Sequence, residues 1–340
     1  MKKIVFTGGG SSGHVILNLN LFKYFLNEGW EIYYLGSETG IERELIKDYH
    51  NVHYISIPTG KLRRYISIEN LKDMFKVLRG IVVAYKELKK INPEILFSKG
   101  GFVSVPVIIA SKFLKIKSFI HESDMTIGLA NRIAYLFCSR MFTTFLIPYK
   151  KAIKVGAVVD PAPGNGVSPF ENTDKPVLLV IGGSQGAKTL NTFVENNYDK
   201  LVKLYNVLHI SGEANKEVKK TNYYNISYYS KGLGTLIKSS DIILSRAGSN
   251  SIFEILQEKK LNILVPLPLS SSRGDQLENA KYFKEKGYSY VISDDKLTWS
   301  EFELATKHLS DNREAIYENL KATTDIISTE KFYNMIRREL

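Results

Sequence analysis

The sequence predicts an α/β protein of two Rossmann-like domains whose parallel sheets face an interdomain cleft. Three observations carry that reading. Two glycine-rich loops, Gly8-Gly9-Gly10-Ser11-Ser12-Gly13-His14 and Gly182-Gly183-Ser184-Gln185-Gly186-Ala187, each follow a short apolar run and lead into a helical pattern. Apolar runs and helical stretches alternate through both halves in the order strand then helix, the pattern of parallel sheets covered on both faces. The chain, at 340 residues, is long enough for two domains that each bury a core.

In the first half, strands are read at Ile4–Phe6, Glu31–Leu35, Val52–Ile57, Ile95–Phe97, Ser118–Ile120 and Met141–Thr144. The helix after the first loop presents Val15, Leu17, Leu19, Leu21, Phe22 and Phe25 and stops at Gly29, since glycine most readily takes the left-handed turn that ends a helix. From Lys150 to Pro176 the composition turns to Gly, Pro, Asn and Asp, which disfavours regular structure and reads as the connection between domains. A second alternation follows at Val177–Ile181, Val207–Ile210, Ile226–Tyr229, Ile242–Leu244, Asn262–Val265 and Tyr290–Ile292.

Composition narrows the function classes. No apolar run reaches the roughly 18 to 20 residues that span a bilayer, and the start Met1-Lys2-Lys3 leads into an apolar stretch that breaks at Thr7, unlike a signal peptide. A cytoplasmic protein is expected. Cys138 is the single cysteine, so neither an intramolecular disulfide nor a thiolate metal cluster can form. The net charge of +11 favours anionic partners. No RNA- or DNA-binding signature accompanies it, so nucleic acid is not expected as a partner.

Ligands of open α/β sheets sit at the carboxyl ends of the strands, and small residues there let backbone N–H groups approach an anion closely. A phosphate-bearing ligand is therefore expected. The first loop is not a dinucleotide fingerprint, because Leu35-Gly36-Ser37 stands where the ribose-binding acid would end the second strand. Nor is it a P-loop, since no Gly-Lys-Ser/Thr closes it. His14 ends the loop at a helix start, where the dipole would lower its pKa and favour the neutral imidazole of a general base; a histidine that merely packs at the helix start is the other reading. His121 and Glu122 follow a strand, but adjacent side chains do not form a metal pair. Ser245–Glu254 forms another strand-to-helix turn, and Glu254, about two turns into that helix, could accept two hydroxyls of a vicinal diol such as ribose or simply be solvated. Gln276, after the polar loop that starts at Pro266, can both donate and accept as sugar hydroxyls require. No Asp-x-Asp motif stands at a strand end, so help for a leaving diphosphate would come from helix N-termini and amides.

Taken together, GGGSSGH at 8–14, FSKGGFVSVP at 97–106, HESD with GLAN at 121–131, GGSQGA at 182–187, SRAGSNSIFE at 245–254 and RGDQLENA at 273–280 resemble one family over nearly the whole chain. It is the MurG-type cell-wall glycosyltransferases of GT-B fold, and HESD and KGGFVSVP resemble their Gram-positive branch. The resemblance implies transfer of N-acetylglucosamine from UDP-N-acetylglucosamine to the 4-hydroxyl of undecaprenyl-diphosphate-linked N-acetylmuramyl pentapeptide, with inversion to a β-1,4 link. It implies an acceptor and membrane-facing domain at 1–156, a donor domain at 157–324, and a C-terminal helix within 325–340 that packs back on the first domain. His14 and Glu122 are the implied catalytic residues. Ser11, Ser12, Gly13, Phe102, His121 and Asn131 are implied around the acceptor. Ser184, Gln185, Gly186, Asn191, Arg246, Ser249, Asn250, Ser251, Glu254, Gln276 and Asn279 are implied around the donor, with Glu254 on the ribose. No cofactor or metal is obligatory on this reading, a divalent cation at most stimulating. The chain departs from the family pattern at Ser12, at Asp124, and at Gly156–Asp160, where an arginine is missing. The alternatives are a UDP-N-acetylglucosamine epimerase of the same fold and a non-catalytic sugar-nucleotide or lipid-binding protein.

A polyprenyl-linked acceptor is met at a bilayer surface, so the implied location is peripheral, on the cytoplasmic face of the cell membrane, with other cell-wall synthesis proteins as possible partners. Lys61–Tyr65 and the following stripe of Leu71, Phe75, Leu78 and Ile81, with Lys72, Lys76 and Arg79 nearby, suit docking on anionic lipid. The same stripe could instead face the domain core.

Overall fold

The computed structural model describes residues 1–60, 68–166, 168–170, 174–182, 187–212, 216–226, 232–272 and 274–340, the side chains of 68–72 lying outside the description. The chain divides into two compact units: unit 1 is Met1–Val158 with Ile327–Leu340, and unit 2 is Val159–Ile326.

Unit 1 runs β1 (Lys3–Thr7), α1 (Ile16–Asn27), β2 (Glu31–Gly36), α2 (Ile41–Ile46), β3 (Val52–Ser56), α3 (Ile68–Ile91), β4 (Ile95–Ser98), α4 (Ser104–Phe113), β5 (Lys117–Glu122), α5 (Leu129–Phe137), β6 (Arg140–Thr143), β7 (Ala152–Lys154) and β8 (Ala157–Val158). Its seven-stranded sheet has the order β3-β2-β1-β4-β5-β6-β7, with parallel pairing throughout. The inner strands are buried on both faces, β4 (ILFS) at every residue, which is why they appear in the sequence as short unbroken apolar runs. One face packs α1 around Phe6, Phe22 and Phe25, whose rings meet edge to face. The opposite face packs α3 and α4 through Leu88, Val107 and Ile108.

Gly29 ends α1 as expected. Its φ of +73° is what calls for glycine, since an added Cβ would meet nothing within 4 Å, and Trp30 N–H reaches back to Phe25 O.

Unit 2 runs β9 (Val177–Ile181), α6 (Lys188–Asn196), α7 (Tyr198–Leu204), β10 (Asn206–Ile210), β11 (Val218–Lys220), β12 (Tyr223–Ile226), α8 (Leu233–Ser239), β13 (Ile242–Ser245), α9 (Ser249–Gln257), β14 (Leu261–Leu264), α10 (Asp275–Glu285), β15 (Tyr290–Val291), α11 (Trp299–Asp311) and α12 (Arg313–Lys321). Its sheet order is β11-β12-β10-β9-β13-β14-β15, parallel except for β11, which runs antiparallel to β12. The chain then forms β16 (Ile326–Ile327), which pairs with β8 in a two-stranded sheet, and α13 (Thr329–Arg338).

Three expectations need correction. The segment from Lys150 was read as irregular, yet it opens with β7 and β8; strands of three and two residues are too short to show a hydrophobic period. The strand placed at Ile226–Tyr229 is Tyr223–Ile226, and 227–231 fall outside the described residues. The expectation of strand-then-helix order throughout misses β11, an exposed edge strand carrying Lys219 and Lys220.

Helix α13 belongs to unit 1. Ser328 caps it by accepting from Lys331 N–H at 3.3 Å. Phe332, Tyr333 and Ile336 are buried in the same core as Phe6 and Phe97, Phe332 meeting the rings of Phe97 and Phe142. Arg337 pairs with Glu28 beyond the end of α1.

Candidate functional site

Both sheets start in the middle. In unit 1 the chain passes from β1 out to β2 and β3 and then returns to β4 on the other side of β1. In unit 2 it passes from β9 out through β10 and β12 and then returns to β13 on the other side of β9. The carboxyl ends of β1 and β4, and of β9 and β13, are therefore the points where loops diverge to opposite faces and leave a crevice for a ligand.

In unit 1, β1 runs into the loop Gly8–Ser11 and a 3-10 turn, Ser12–His14. The loop is pinned from three sides. Gly9 N–H donates to Gly100 O at 3.3 Å, Tyr34 hydroxyl donates to Gly8 O at 2.7 Å, and Gly10 N–H donates to Glu42 Oε2 at 3.2 Å. Glu42, the second residue of α2, is wholly buried and also accepts from Ser37 N–H and hydroxyl. The acid sought at Leu35-Gly36-Ser37 thus arrives five residues later in the chain and folds back onto Ser37. It spends its charge on the loop itself, so Gly10 N–H is not offered to a ligand.

Close approach explains the glycines. A Cβ on Gly10, at φ +85°, would lie 2.5 Å from the Phe102 ring, and one on Gly101 would lie 2.1 Å from Gly9 O. Ser12 does not share this constraint: among the described residues it is not one of those with positive φ, so serine there brings no backbone strain.

His14 Nδ1 lies 2.9 Å from Ser11 Oγ. Burial pushes its pKa down to about 4, the Lys99 charge adding to the fall and the Gly9 backbone and Glu42 opposing it. Burial first and Lys99 second thus favour the neutral imidazole.

Lys99, at the carboxyl end of β4, was missed. Its side chain is buried, with Nζ 2.9 Å from His121 Nδ1 and donating to Ser123 Oγ. Desolvation lowers its pKa to about 8 against the pull of Glu122 and Asp124. His121 is held well below its ordinary value by burial and by Lys99, and its ring meets Phe332 edge to face. Glu122 accepts from Asp124 N–H and Gly128 N–H, both at 3.1 Å, and from Asn131 Nδ2 at 3.0 Å. Asn131 also donates to His121 O, and a Cβ on Gly100 would touch it at 3.1 Å. The structure thus brings Ser11–His14 and Phe102 together at the crevice, with His121, Glu122 and Asn131 behind them. Three donors on the two oxygens of Glu122 make it an anchor of the loop before α5.

In unit 2, β9 ends at Ile181, and Gly182 N–H donates to Ile210 O at 3.2 Å. Ser184, Gln185 and Gly186 lie outside the described residues. Asn191 is fully used within the unit: Nδ2 donates to Ser211 O at 2.9 Å, and Oδ1 lies 3.0 Å from His209 Nε2. Arg246 is buried, paired with Asp294 and donating to Val265 O at 3.0 Å. Both tie strand ends to neighbouring loops, and Arg246 keeps a buried Nε without a partner.

The turn after β13 keeps its expected features. Gly248 precedes α9, whose first turn is Ser249–Ser251, half-exposed or exposed. Glu254 lies about one and a half turns into α9 and is largely buried. Its Oε2 has no partner, and desolvation raises its pKa to about 7. A buried carboxylate oxygen without a donor is costly unless a ligand supplies one. Asn279 donates to Ala247 O at 3.1 Å and leaves its buried Oδ1 unpartnered. Gln276 Oε1 accepts from Leu267 N–H at 3.1 Å, holding the loop that precedes α10.

Comparison with known proteins gives consistent matches. Residues 4–143 match the glycosyltransferase family 28 N-terminal domain and residues 177–338 its C-terminal domain. A UDP-N-acetylglucosamine--N-acetylmuramyl-(pentapeptide) pyrophosphoryl-undecaprenol N-acetylglucosamine transferase of Streptococcus suis is 42% identical over all of this chain and 99% of its own length. The Staphylococcus aureus MRSA252 protein of that name is 44% identical, with the same coverage. Among solved structures, Acinetobacter baumannii MurG superposes with a TM-score of 0.78 at 21% identity, covering 99% of this chain and 100% of its own. The glycosyltransferase of kitacinnamycin superposes at 0.75 and 15% identity, covering 99% of each chain.

Proposed function

This chain belongs to glycosyltransferase family 28, and from that membership we propose that unit 2 holds the sugar nucleotide through Glu254 while unit 1 holds the acceptor and the catalytic base. The enzyme transfers N-acetylglucosamine from UDP-N-acetylglucosamine to undecaprenyl-diphosphate-linked N-acetylmuramyl pentapeptide in peptidoglycan synthesis. The observation that carries the donor assignment is the unpartnered, buried Glu254 Oε2 at the switch point of unit 2. A carboxylate only accepts hydrogen bonds, and the two ribose hydroxyls are the donors of a uridine nucleotide that match it. N–H groups of the first turn of α9 suit the phosphate side.

His14 is the proposed base. With Nδ1–H directed to Ser11 Oγ, Nε2 keeps its lone pair for the proton of the muramyl 4-hydroxyl. That oxygen forms the new bond to the anomeric carbon as the bond from carbon to the UDP oxygen breaks, and the face-opposed displacement inverts the carbon. The test offers the protein UDP-N-acetylglucosamine and a short-chain prenyl-diphosphate-linked muramyl pentapeptide and follows UDP release. Release is expected only with both present; release without acceptor, or isomerised donor in its place, overturns the assignment.

The membrane contact is proposed on α3. Met74, Phe75, Leu78, Val82 and Tyr85 form an exposed apolar row along one face, Phe75 at 64% and Val82 at 55% exposure. Arg79, Lys86 and Lys90 flank it. The expected stripe needs one correction: Ile81 packs against the core and Val82 takes its place outside. The side chains of Leu71 and Lys72, and all of Lys61–Tyr65, lie outside the described residues. Among the described residues no helix is long and apolar enough to cross a membrane. An apolar row beside cations suits shallow insertion into anionic lipid. Changing Phe75 and Leu78 together to Ser is expected to weaken sedimentation with phosphatidylglycerol vesicles about tenfold or more, since each buried side chain contributes on the order of 1.5–3 kcal/mol. Turnover of a short-chain acceptor without vesicles should stay within twofold; unchanged sedimentation would reject this face.

A further inference from the structure

Asp294 lies outside every motif of the sequence, 48 residues beyond Arg246 and 105 beyond Thr189, yet it contacts both. It opens a short 3-10 turn, Asp294–Lys296, beyond β15. Its Oδ1 pairs with Arg246 Nη1, and its Oδ2 accepts from the Thr189 hydroxyl at 3.1 Å. Arg246 is the first residue after β13, and Thr189 is the second residue of α6. One carboxylate thus joins the two strand-to-helix turns at the switch point of unit 2, the turn into α6 and the turn into α9. Both partners of the ion pair are anchored. Arg246, the only lysine or arginine buried in unit 2 among the described residues, also donates from Nη1 to Val265 O at 3.0 Å. Val265 N–H is held by Ser245 O at 2.8 Å, and Ile292 N–H, two residues before Asp294, by Leu264 O at 3.0 Å. The guanidinium and the carboxylate therefore meet at the end of β14 with the sheet behind each of them. Breaking such a desolvated pair from one side is costly.

Helix α6 has other ties. Asn191 donates to Ser211 O beyond the end of β10, and the Phe193 ring lies 5.3 Å from that of Phe302 in α11. These secure the helix to the unit, but neither reaches the turn before α9. The bond from Thr189 to Asp294 does, through Arg246. We propose that Asp294 is a positioning residue of the donor site, fixing the first turn of α6 against the turn that opens α9 so that a nucleoside diphosphate is held by both at once. The proposal rests on unit 2 holding the sugar nucleotide. On that reading Glu254 takes the ribose from within α9, and the phosphates extend toward α6. A ligand that meets α9 alone has no use for the link. The nucleoside without its phosphates is such a ligand, so the two ligands separate positioning from mere support of the fold. A fixed spacing of two turns also lowers the ordering that binding would otherwise have to supply.

The experiment titrates the full-length chain with UDP and with uridine, following the ligand by NMR, and compares Asp294→Ala, Asp294→Asn, Thr189→Val and the double variant Thr189→Val with Asp294→Ala. Asp294→Ala is expected to weaken UDP binding at least tenfold and to leave uridine within twofold. Thr189→Val, nearly the same shape and still able to fold where Asp294→Ala does not, should weaken UDP by roughly three- to tenfold, as the loss of one hydrogen bond allows. The double variant should bind UDP within twofold of Asp294→Ala, because both changes cut one link. Asp294→Asn keeps an acceptor for Arg246 and can donate to the Thr189 hydroxyl, so it should recover part of the loss. In turnover, KM for UDP-N-acetylglucosamine should rise with the UDP dissociation constant while KM for the acceptor stays within twofold. A UDP loss below twofold in Thr189→Val overturns the proposal. So does an equal loss of UDP and uridine, which a merely structural carboxylate would give, and so do losses that multiply in the double variant. If the unaltered chain binds neither ligand, the donor assignment of unit 2 fails and this proposal with it; UDP binding that the variants keep removes Asp294 alone.

Discussion

Replacing His14 with Ala is expected to lower kcat by about 10²- to 10⁴-fold, the range over which a positioned general base contributes, with UDP affinity within twofold of the parent. The affinity is spared because the donor's proposed partner, Glu254, belongs to the other unit. The pH profile supplies an independent check. With a pKa of about 4, caused first by burial and then by Lys99, His14 is already unprotonated at pH 6. At saturating UDP-N-acetylglucosamine, kcat should therefore hold nearly flat from pH 8 to pH 6 and fall only toward pH 4, where the base is lost. Stability follows the same group. The unfolded histidine takes up a proton near 6.5 and the folded one near 4, so its contribution is complete above pH 6.5 and is lost as pH falls from there toward 4. His209, also lowered to about 4 by burial, adds to that loss and should persist in His14→Ala. Turnover by His14→Ala within tenfold of the parent would remove His14 from the chemistry.

Glu254→Gln is expected to weaken UDP binding by about 10- to 100-fold, in line with roughly 1.5–3 kcal/mol for hydrogen bonds to a charged group. Burial raises the carboxyl to about 7 in the free protein, whereas two hydroxyl donors favour the ionised form. UDP binding should then release a proton, and affinity should fall as pH drops below 7, by up to tenfold per unit in the limit. Calorimetry at pH 6, 7 and 8, in buffers of different ionisation enthalpy, reads both the affinity and the proton. The Gln variant should show neither the proton nor the slope. Stability moves the other way: the folded carboxyl is harder to ionise than the unfolded one, so the parent loses stability as pH rises from about 4.5 through 7. Glu254→Gln should escape that loss and be at least as stable as the parent at pH 8. Equal UDP affinity of parent and variant at all three pH values would sink the ribose assignment.

The strands around both glycine loops were legible because parallel strands buried on two faces appear as unbroken apolar runs, and β1 and β9 show this most plainly. Gly29 was legible because a helix stop is a local event. Glu42 and Lys99 were not, since their partners stand tens of residues away: Gly10 lies 32 positions from Glu42, and His121 lies 22 from Lys99. Only the sheet order brings them together. One local signal pointed to Lys99, a lysine directly after a buried strand and directly before two glycines, where a solvated charge is out of place. Nor were the partners of Arg246 and Asn191 legible: each sits in a ligand-like motif, and Asp294, 48 residues beyond Arg246, and His209, 18 beyond Asn191, engage part of its polar groups. A motif marks a neighbourhood; which of its side chains remains available depends on contacts that no spacing rule contains.

The placement of α13 bears on how the molecule is made. A ribosome delivers unit 2, one uninterrupted stretch from Val159 to Ile326, before it delivers the residues that finish unit 1. During synthesis the first 158 residues must therefore wait with the places of Phe332, Tyr333 and Ile336 unfilled, the rings of Phe97, Phe142 and Phe25 lacking their last neighbours. The domain that emerges first is the one completed last, and its closure waits on the final helix leaving the exit tunnel.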